Sequence, residues 1–451
     1  MQAFHKLLIL PVGLALLGAA LGLWLIPREI EQVQELLLDF PDADQFSHQL
    51  RPWVIAGMCA LLPIAGIAYR LGSLLDRYLV RLFLVSFGIC TAALMVIWLL
   101  IDLSDNFPDL RQSEQVVPTM LEFYSSRLPG VLMLLLPHAI LLAALSTLNR
   151  LSTLREVTAM IQAGRSIWKV GLPVLICGLG FALFLLGLNY QWAPAAESRV
   201  KSMLDVATGK PAFEAKNVLF RNPHESRLWM VGAFPENFQH GEPLLDVEIT
   251  TTRADHSIET RLLAPSAKWD RARRTWQFEK PLLGSFENGM PARYQPIEGN
   301  VIEKSWSETP WQLIKPGLSA REMGIPELNT WLENQNSMKH SAAAAPYLTH
   351  WHYRWSQPVT CVVMVLLAIP LAVHFSRRAT SGNTVLAIIL SAILMLLGNI
   401  SLSLGESGLV APILAAWLPN VIFILLAAGF FYLRLTGRPL YAMLRSLVPV
   451  T

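Results

Sequence analysis

The sequence predicts a polytopic α-helical membrane protein with an extracytoplasmic β-rich domain inserted between its spans. Three observations predict it. Of 451 residues, 53% are hydrophobic and 15% charged, against about 25% charge in ordinary soluble domains, which excludes a plain soluble enzyme. The charge is also concentrated: residues 191–350 hold 18 Lys/Arg and 19 Asp/Glu, whereas the other 291 residues hold 18 and 14. Finally, the apolar runs outside that block are long and unbroken, while inside it apolar and polar residues alternate with period two.

The spans follow in order. A bilayer core takes about 20 consecutive apolar residues per helix. Eight stretches reach that length: roughly 7–26, 52–69, 79–101, 129–148, 168–190, 356–375, 384–404 and 412–433. An even number puts both termini on one side. With the N-terminus in the cytoplasm, thirteen basic residues fall inside: Lys6, Arg70, Arg77, Arg81, Arg150, Arg155, Arg165, Lys169, Arg377, Arg378, Arg434, Arg438 and Arg445. The opposite connections are 27–51, which carries Glu29, Glu31, Glu35, Asp39, Asp42 and Asp44 against Arg28 and Arg51, then 102–128 and 405–411. That asymmetry places the polar block outside the cytoplasm. Lys6 and the small residues Gly18, Ala19 and Ala20 resemble a signal peptide, but an apolar run of about 20 residues exceeds the usual length of one, so the sequence predicts a retained anchor.

Within 191–350, Leu245, Val247 and Ile249 alternate with Asp246, Glu248 and Thr250, the pattern of a strand with one buried face. Further strand-like runs are 218–221, 227–233, 258–264 and 275–278. Trp269 and Trp276 flank a polar connection suited to a hairpin. Several short strands at this spacing indicate a sandwich or barrel. Ser319 to Glu322 has capping-box spacing and Pro326 suits the start of a second short helix leading back to the membrane.

Several function classes drop out. A net charge of +3 spread over the whole chain is no nucleic-acid footprint. Cys59, Cys90, Cys177 and Cys361 all lie in apolar runs, so they are expected to be packing residues rather than a disulfide frame. Gly209-Lys210 is followed by Pro211 and makes no phosphate loop, and neither a nucleophile elbow nor a metalloprotease helix is present. No cofactor or metal is expected in this chain.

The stretch Leu145 to Ser166, with Asn149-Arg150, Arg155-Glu156 and Ala163-Gly164-Arg165, resembles the cytoplasmic helix region of the lipopolysaccharide-export permeases LptF and LptG. Leu75-Asp76-Arg77-Tyr78-Leu79-Val80-Arg81 is similar to that family's opening motif. His352 to Pro358, with Ile369-Pro370-Leu371 and Arg377-Arg378, is similar to its fourth helix, and Gly405 to Pro412 with Ala416 to Asn420 to its last loop and helix. The four lie in the family's order over about residues 74–435. The resemblance implies a six-helix permease core with a β-jellyroll inserted between its third and fourth helices. It also implies a homologous LptF/LptG-type permease subunit as partner, a cytoplasmic LptB-like ATPase dimer that carries ATP and Mg, LptC/LptA-like periplasmic jellyroll proteins, and lipopolysaccharide as cargo in the Gram-negative inner membrane. The implied division is an extra N-terminal hairpin over 1–73, permease helices 1–3 over 74–190 with a coupling helix at about 150–166, the jellyroll-like domain over 191–350, helices 4–6 over 351–435, and a cytoplasmic tail over 436–451. The hairpin has no counterpart in the six-helix permease.

Candidate site residues follow. Leu151, Leu154, Val157 and Ile161 recur at helical spacing, so a helix there either docks into a partner groove or lies solvated at the headgroups. The resemblance favours docking and assigns Arg150, Leu154, Arg155, Glu156, Met160 and Gly164 to ATPase coupling; Gly164 is either a helix stop or a packing glycine. Arg354 sits among His350, Trp351, His352, Tyr353 and Trp355, either an aromatic belt with an anchoring Arg or a lipid-phosphate contact. His350 and His352 lack a third metal ligand. Family members often carry bases where this chain has Asp102 and Asp105, which leaves Arg111, Arg127 and Arg354 as exoplasmic phosphate candidates. Phe83, Phe87, Leu94 and Trp98 either line an acyl-chain cavity or pack helices. Asn399 bonds another helix or touches substrate. Leu245, Val247 and Ile249 form an acyl-chain slide or a packed core. The rival to an exporter permease is a membrane scaffold or sensor whose β-domain binds a periplasmic partner and transports nothing.

Overall fold

The computed structural model describes residues 2–436 apart from 40–43, 114, 209–212, 223–225, 236–237, 239–240, 254–256, 271–272, 287–293, 297–300, 305, 315–316, 335–343 and 374–380. Arg377, Arg378, Arg438, Arg445, Asp42 and the tail beyond Thr436 therefore lie outside the described residues.

Among the described residues, fourteen helices and eight strands follow in chain order. Before the sheet come α1 (Gln2–Asp39), α2 (Gln45–Gln49), α3 (Arg51–Leu71), α4 (Leu74–Leu110), α5 (Val116–Thr153), α6 (Glu156–Gln162), α7 (Ile167–Tyr190) and α8 (Trp192–Ala207). After it come α9 (Pro310–Ile314), α10 (Ile325–Asn334), α11 (Ala345–Ser356), α12 (Val359–Ala372), α13 (Ser381–Glu406) and α14 (Pro412–Leu435). Among the described residues seven helices are long and apolar enough to cross a membrane, and α11 with α12 adds an eighth candidate span, bent by 49° at its break. The span expected at 356–375 corresponds to α12, and the break falls at its start, where α11 precedes it. Pro358 at the break has no amide hydrogen to carry the helical ladder onward. A second difference concerns 27–51, read from sequence as a connection: α1 runs through Pro27 to Asp39, so Glu29, Glu31, Glu35 and Asp39 are helical.

The helical core centres on α5 and α12. Ile140, Leu141, Leu145 and Leu148 of α5 pack with Val365, Leu367 and Ile369 of α12, and Leu79, Phe83, Val170 and Val174 close around them. Glycine makes the α7–α12 approach possible. A Cβ at Gly171 would lie 2.7 Å from Ile369 Cδ1, and one at Gly178 2.7 Å from Val365 Cγ2. Small residues let apolar helices come this close where lipid offers no hydrophobic drive of its own.

Between the third and fourth of the six later spans lies an antiparallel sheet of β1 (Phe213–Asn222), β2 (Arg227–Pro235), β3 (Leu244–Thr252), β4 (Ile258–Asp270), β5 (Thr275–Glu279), β6 (Leu282–Ser285), β7 (Gln295–Pro296) and β8 (Val301–Lys304). The order is β1-β2-β3-β4-β5-β8, with β6 on the other half of β4 and β7 on β6. Trp269 faces Trp276 across the β4–β5 hairpin. Trp229, Val231, Phe234, Val247, Ile249, Trp276 and Phe278 fill the core of the sheet. Val247 and Ile249 point inward as expected, at 1% exposure each, but Leu244 at 2% takes the place predicted for Leu245, which is half-buried. Asp246 has a left-handed backbone, φ 51, so two outward residues separate Leu244 from Val247 while strand pairing is kept on both sides. Two further expectations change. The polar block opens with a helix, α8, and residues 320–322 form only a turn, whereas Pro326 does lie in a helix, α10.

Candidate functional site

The stretch 150–166, expected to hold one coupling helix, is two helical pieces, the end of α5 and α6. α5 continues to Thr153, Arg155 turns into the left-handed region at φ 60, and α6 starts at Glu156. The end of α6 is fixed by Gly164, φ +88: its N–H donates to the Ile161 carbonyl and the Arg165 N–H to that of Met160, the paired bonds of a Schellman motif. The turn at Arg155 separates the predicted apolar face. Leu151 and Val157 are fully buried and Met160 nearly so, all in the helical core, whereas Leu154 stays 58% exposed. Arg150 and Arg155 are exposed beside it.

Three hydrogen bonds latch this segment to the start of α4. The Tyr78 hydroxyl donates to Glu156 Oε2 at 3.0 Å. Arg165 Nη2 donates to Asp76 Oδ1 at 2.9 Å and to Ser73 Oγ at 3.1 Å. Asp76 and Ser73 are themselves the capping box of α4, which satisfies amides that the helix cannot. Tyr78 and Asp76 escape a local reading because their partners lie 78 and 89 residues away. Only their place in the opening motif marked them.

At the far end of α4, Arg127 Nη2 pairs with Asp102 Oδ1 at 2.8 Å and its guanidinium lies over the Trp98 and Phe123 rings at 5.6 and 5.5 Å. Its charge is thus matched inside the protein. Arg111, at the C-cap of α4, is exposed. Phe83 is fully buried, stacked 6.0 Å from Phe87, which in turn meets Phe181 at 4.3 Å, so Phe83 packs helices together rather than lining an open path. Asn399 is exposed on α13 and has no hydrogen bond to another helix among the described residues.

Arg354 occupies neither position the sequence allowed. It is 6% exposed, with Nη1 donating to Asn189 Oδ1 at 3.2 Å and Nη2 to the carbonyls of Arg321 at 2.5 Å and Met323 at 3.2 Å. Asn189 Nδ2 returns a bond to the Arg354 carbonyl at 2.7 Å. Five donors in a rigid fork suit a guanidinium to gathering several carbonyls at once. The residue thus ties α7 and α11 to the segment that leads back from the sheet. Beside it, His350 Nε2 meets Glu406 Oε1 at 2.6 Å, on the wall of a cleft of about 430 Å³ that Leu318, Arg321 and Tyr347 also line.

The comparisons bear on this arrangement of helices around an inserted sheet. Residues 77–434 match the family described as lipopolysaccharide export system permease LptF/LptG. The chain belongs to the LptF/LptG permease family. A curated relative, the lipopolysaccharide export system permease protein LptG of Haemophilus influenzae, is 22% identical over 365 residues, which covers 78% of this chain and 96% of that protein. The LptF/LptG match opens in α4 and closes in α14, so it takes in six candidate spans and the sheet and leaves α1 to α3 outside.

Proposed function

We propose that this chain is a permease subunit of an ABC-type exporter that extracts lipopolysaccharide from the inner membrane and passes it, through its sheet domain, toward the outer membrane. The observation that carries this is the family match across all six later spans together with the sheet between them. The chain pairs with a homologous LptF/LptG-type permease subunit. Energy comes from a separate LptB-like ATPase dimer, which holds ATP and Mg. The surface of Arg150, Leu154 and Arg155 around α6 is where that ATPase docks. Because Glu156 and Arg165 are latched to α4, a push on α6 moves α4 together with α5 and α7. Edge strand β1, paired on one side only among the described residues, is where an LptC/LptA-like jellyroll protein extends the sheet. The sheet lies in the periplasm and both termini in the cytoplasm, in keeping with the thirteen basic residues counted on one side. With Arg127 and Arg354 engaged internally, Arg111 is the candidate of the three left to meet lipid phosphates.

Copurification of the tagged chain in mild detergent, from cells that make both partners, is expected to recover an ATPase and a second permease. Recovery of neither overturns the proposal. Glu156→Lys is expected to weaken ATPase association while the variant still inserts and folds; unchanged association refutes the docking role. Depletion of the chain is expected to lower lipopolysaccharide at the cell surface, and unchanged delivery favours a scaffold.

A further inference from the structure

Residues 1–73 precede the family match, which begins at Arg77, and the exporter reading gives them no task. Their packing is nonetheless specific. α1 and α3 cross with backbones in contact: a Cβ at Gly18 would lie 2.7 Å from the Cys59 carbonyl oxygen, and one at Gly66 2.9 Å from Pro11 Cα. Glu29 of α1 and Arg51 of α3 pair at 2.5 Å with side chains only 6% and 9% exposed. Removal of either would strand a buried charge. α3 rests on α7, where Met58 fills the space left by Gly187, whose Cβ would lie 2.4 Å from Met58 Cγ.

Asp44 and α2, which precede α3, reach further. Asp44 caps α2 and its own N–H donates to Thr330 Oγ1 at 3.1 Å. Asn329 Nδ2 donates to Ser47 Oγ at 2.8 Å and to Asp44 Oδ2 at 3.4 Å. The Tyr190 hydroxyl at the end of α7 donates to the Ser47 carbonyl at 2.8 Å, and Trp351 Nε1 of α11 donates to Asn329 Oδ1 at 2.7 Å. Asn329 and Thr330 belong to α10, which lies on the chain's return from the sheet to α11. The permease core holds that return from its own side, through Arg354 and through Gln191 Nε2 on Glu327 Oε1 at 2.6 Å. The hairpin grips the same helix from another.

We infer that residues 1–73 are an intramolecular brace: anchored on α7, the hairpin holds Asn329 and Thr330 of α10, and with them the segment through which the sheet domain rejoins the membrane helices. This goes beyond the exporter proposal and is tested without ATPase or lipopolysaccharide. Amide hydrogen exchange is measured on the full chain in nanodiscs, on the Asp44→Ala/Ser47→Ala variant, and on a chain starting at Leu74. Loss of the side-chain bonds to Asn329 is expected to speed exchange across 325–334 about five- to tenfold, with α12 unchanged, and the shortened chain is expected to do the same. Unchanged exchange across 325–334 in the double variant, which keeps every span, overturns the brace whether or not the shortened chain folds. An equal rise in α12 and α14 overturns it as well, because a brace acts on the segment it touches.

Discussion

Single side chains hold the places where this protein's parts meet. In the sheet, Glu308 accepts from Arg227 Nε at 2.9 Å, Arg227 Nη2 at 3.0 Å and Asn222 Nδ2 at 2.8 Å, and its carbonyl accepts from Trp276 Nε1 at 2.7 Å. Burial alone would raise its carboxyl pKa, but the bonds from Arg227 and Asn222 outweigh it and hold the value below the ordinary glutamate range. The resulting stabilisation is complete above the pKa of an unfolded glutamate and is lost as pH falls through the folded value. Unfolding followed by tryptophan fluorescence is therefore expected to show falling sheet stability on acidification, and Glu308→Gln a weaker dependence on pH. Arg227→Ala leaves the carboxylate buried without its cation and is expected to cost about 3 kcal/mol. At the junction, Arg354→Leu deprives Asn189 and two carbonyls of their donor. It is expected to lower the unfolding midpoint and leave lipid crosslinking unchanged in the variant that remains folded, whereas a loss of crosslinking without a loss of stability would point to a phosphate contact. The sequence made Arg354 conspicuous through its aromatic neighbours. It gave no sign of the partners, which lie 31 to 165 residues away.

Among the elements, those defined by local patterns were the most legible. Long apolar runs located the spans, and the position of Gly164 announced the end of α6. Gly164→Ala is expected to destabilise the solubilised chain by about 1 to 2 kcal/mol, since nothing within 4 Å opposes a Cβ and the cost lies in the left-handed backbone alone. Gly164→Asn is expected to cost less, and denaturant unfolding of the two variants checks the order. The misreadings have physical causes too. The acids after Pro27 looked like a loop, yet one of them, Glu29, is buried in a pair with Arg51, a contact between two helices that no single stretch encodes. In β3 the alternation was right for Val247 and Ile249 and wrong for Leu245, because the left-handed turn at Asp246 has no marker in the residue types beside it. For α6 the helical period was real, but the turn at Arg155 sent Leu151 and Val157 into the core and left Leu154 outside.

At the scale of the molecule, candidate spans, an inserted sheet and an N-terminal hairpin share one chain, and orientation is the property that makes it a vectorial device. A cysteine placed at exposed Lys268 of β4 is expected to react with an impermeant maleimide in intact spheroplasts, and one at exposed Arg155 only after permeabilisation. The reverse pattern would invert the topology. The sequence by itself determined that the chain is a membrane protein, where its apolar spans lie and that a β-rich domain interrupts them, because hydropathy and periodicity are summed over neighbours along the chain. Only the tertiary structure decided that Arg354 faces inward, that α6 is latched to α4 and that the hairpin reaches α10. Each of these depends on groups far apart in sequence satisfying one another's buried charge or hydrogen-bonding capacity, and such pairings exist only once the helices and the sheet have packed.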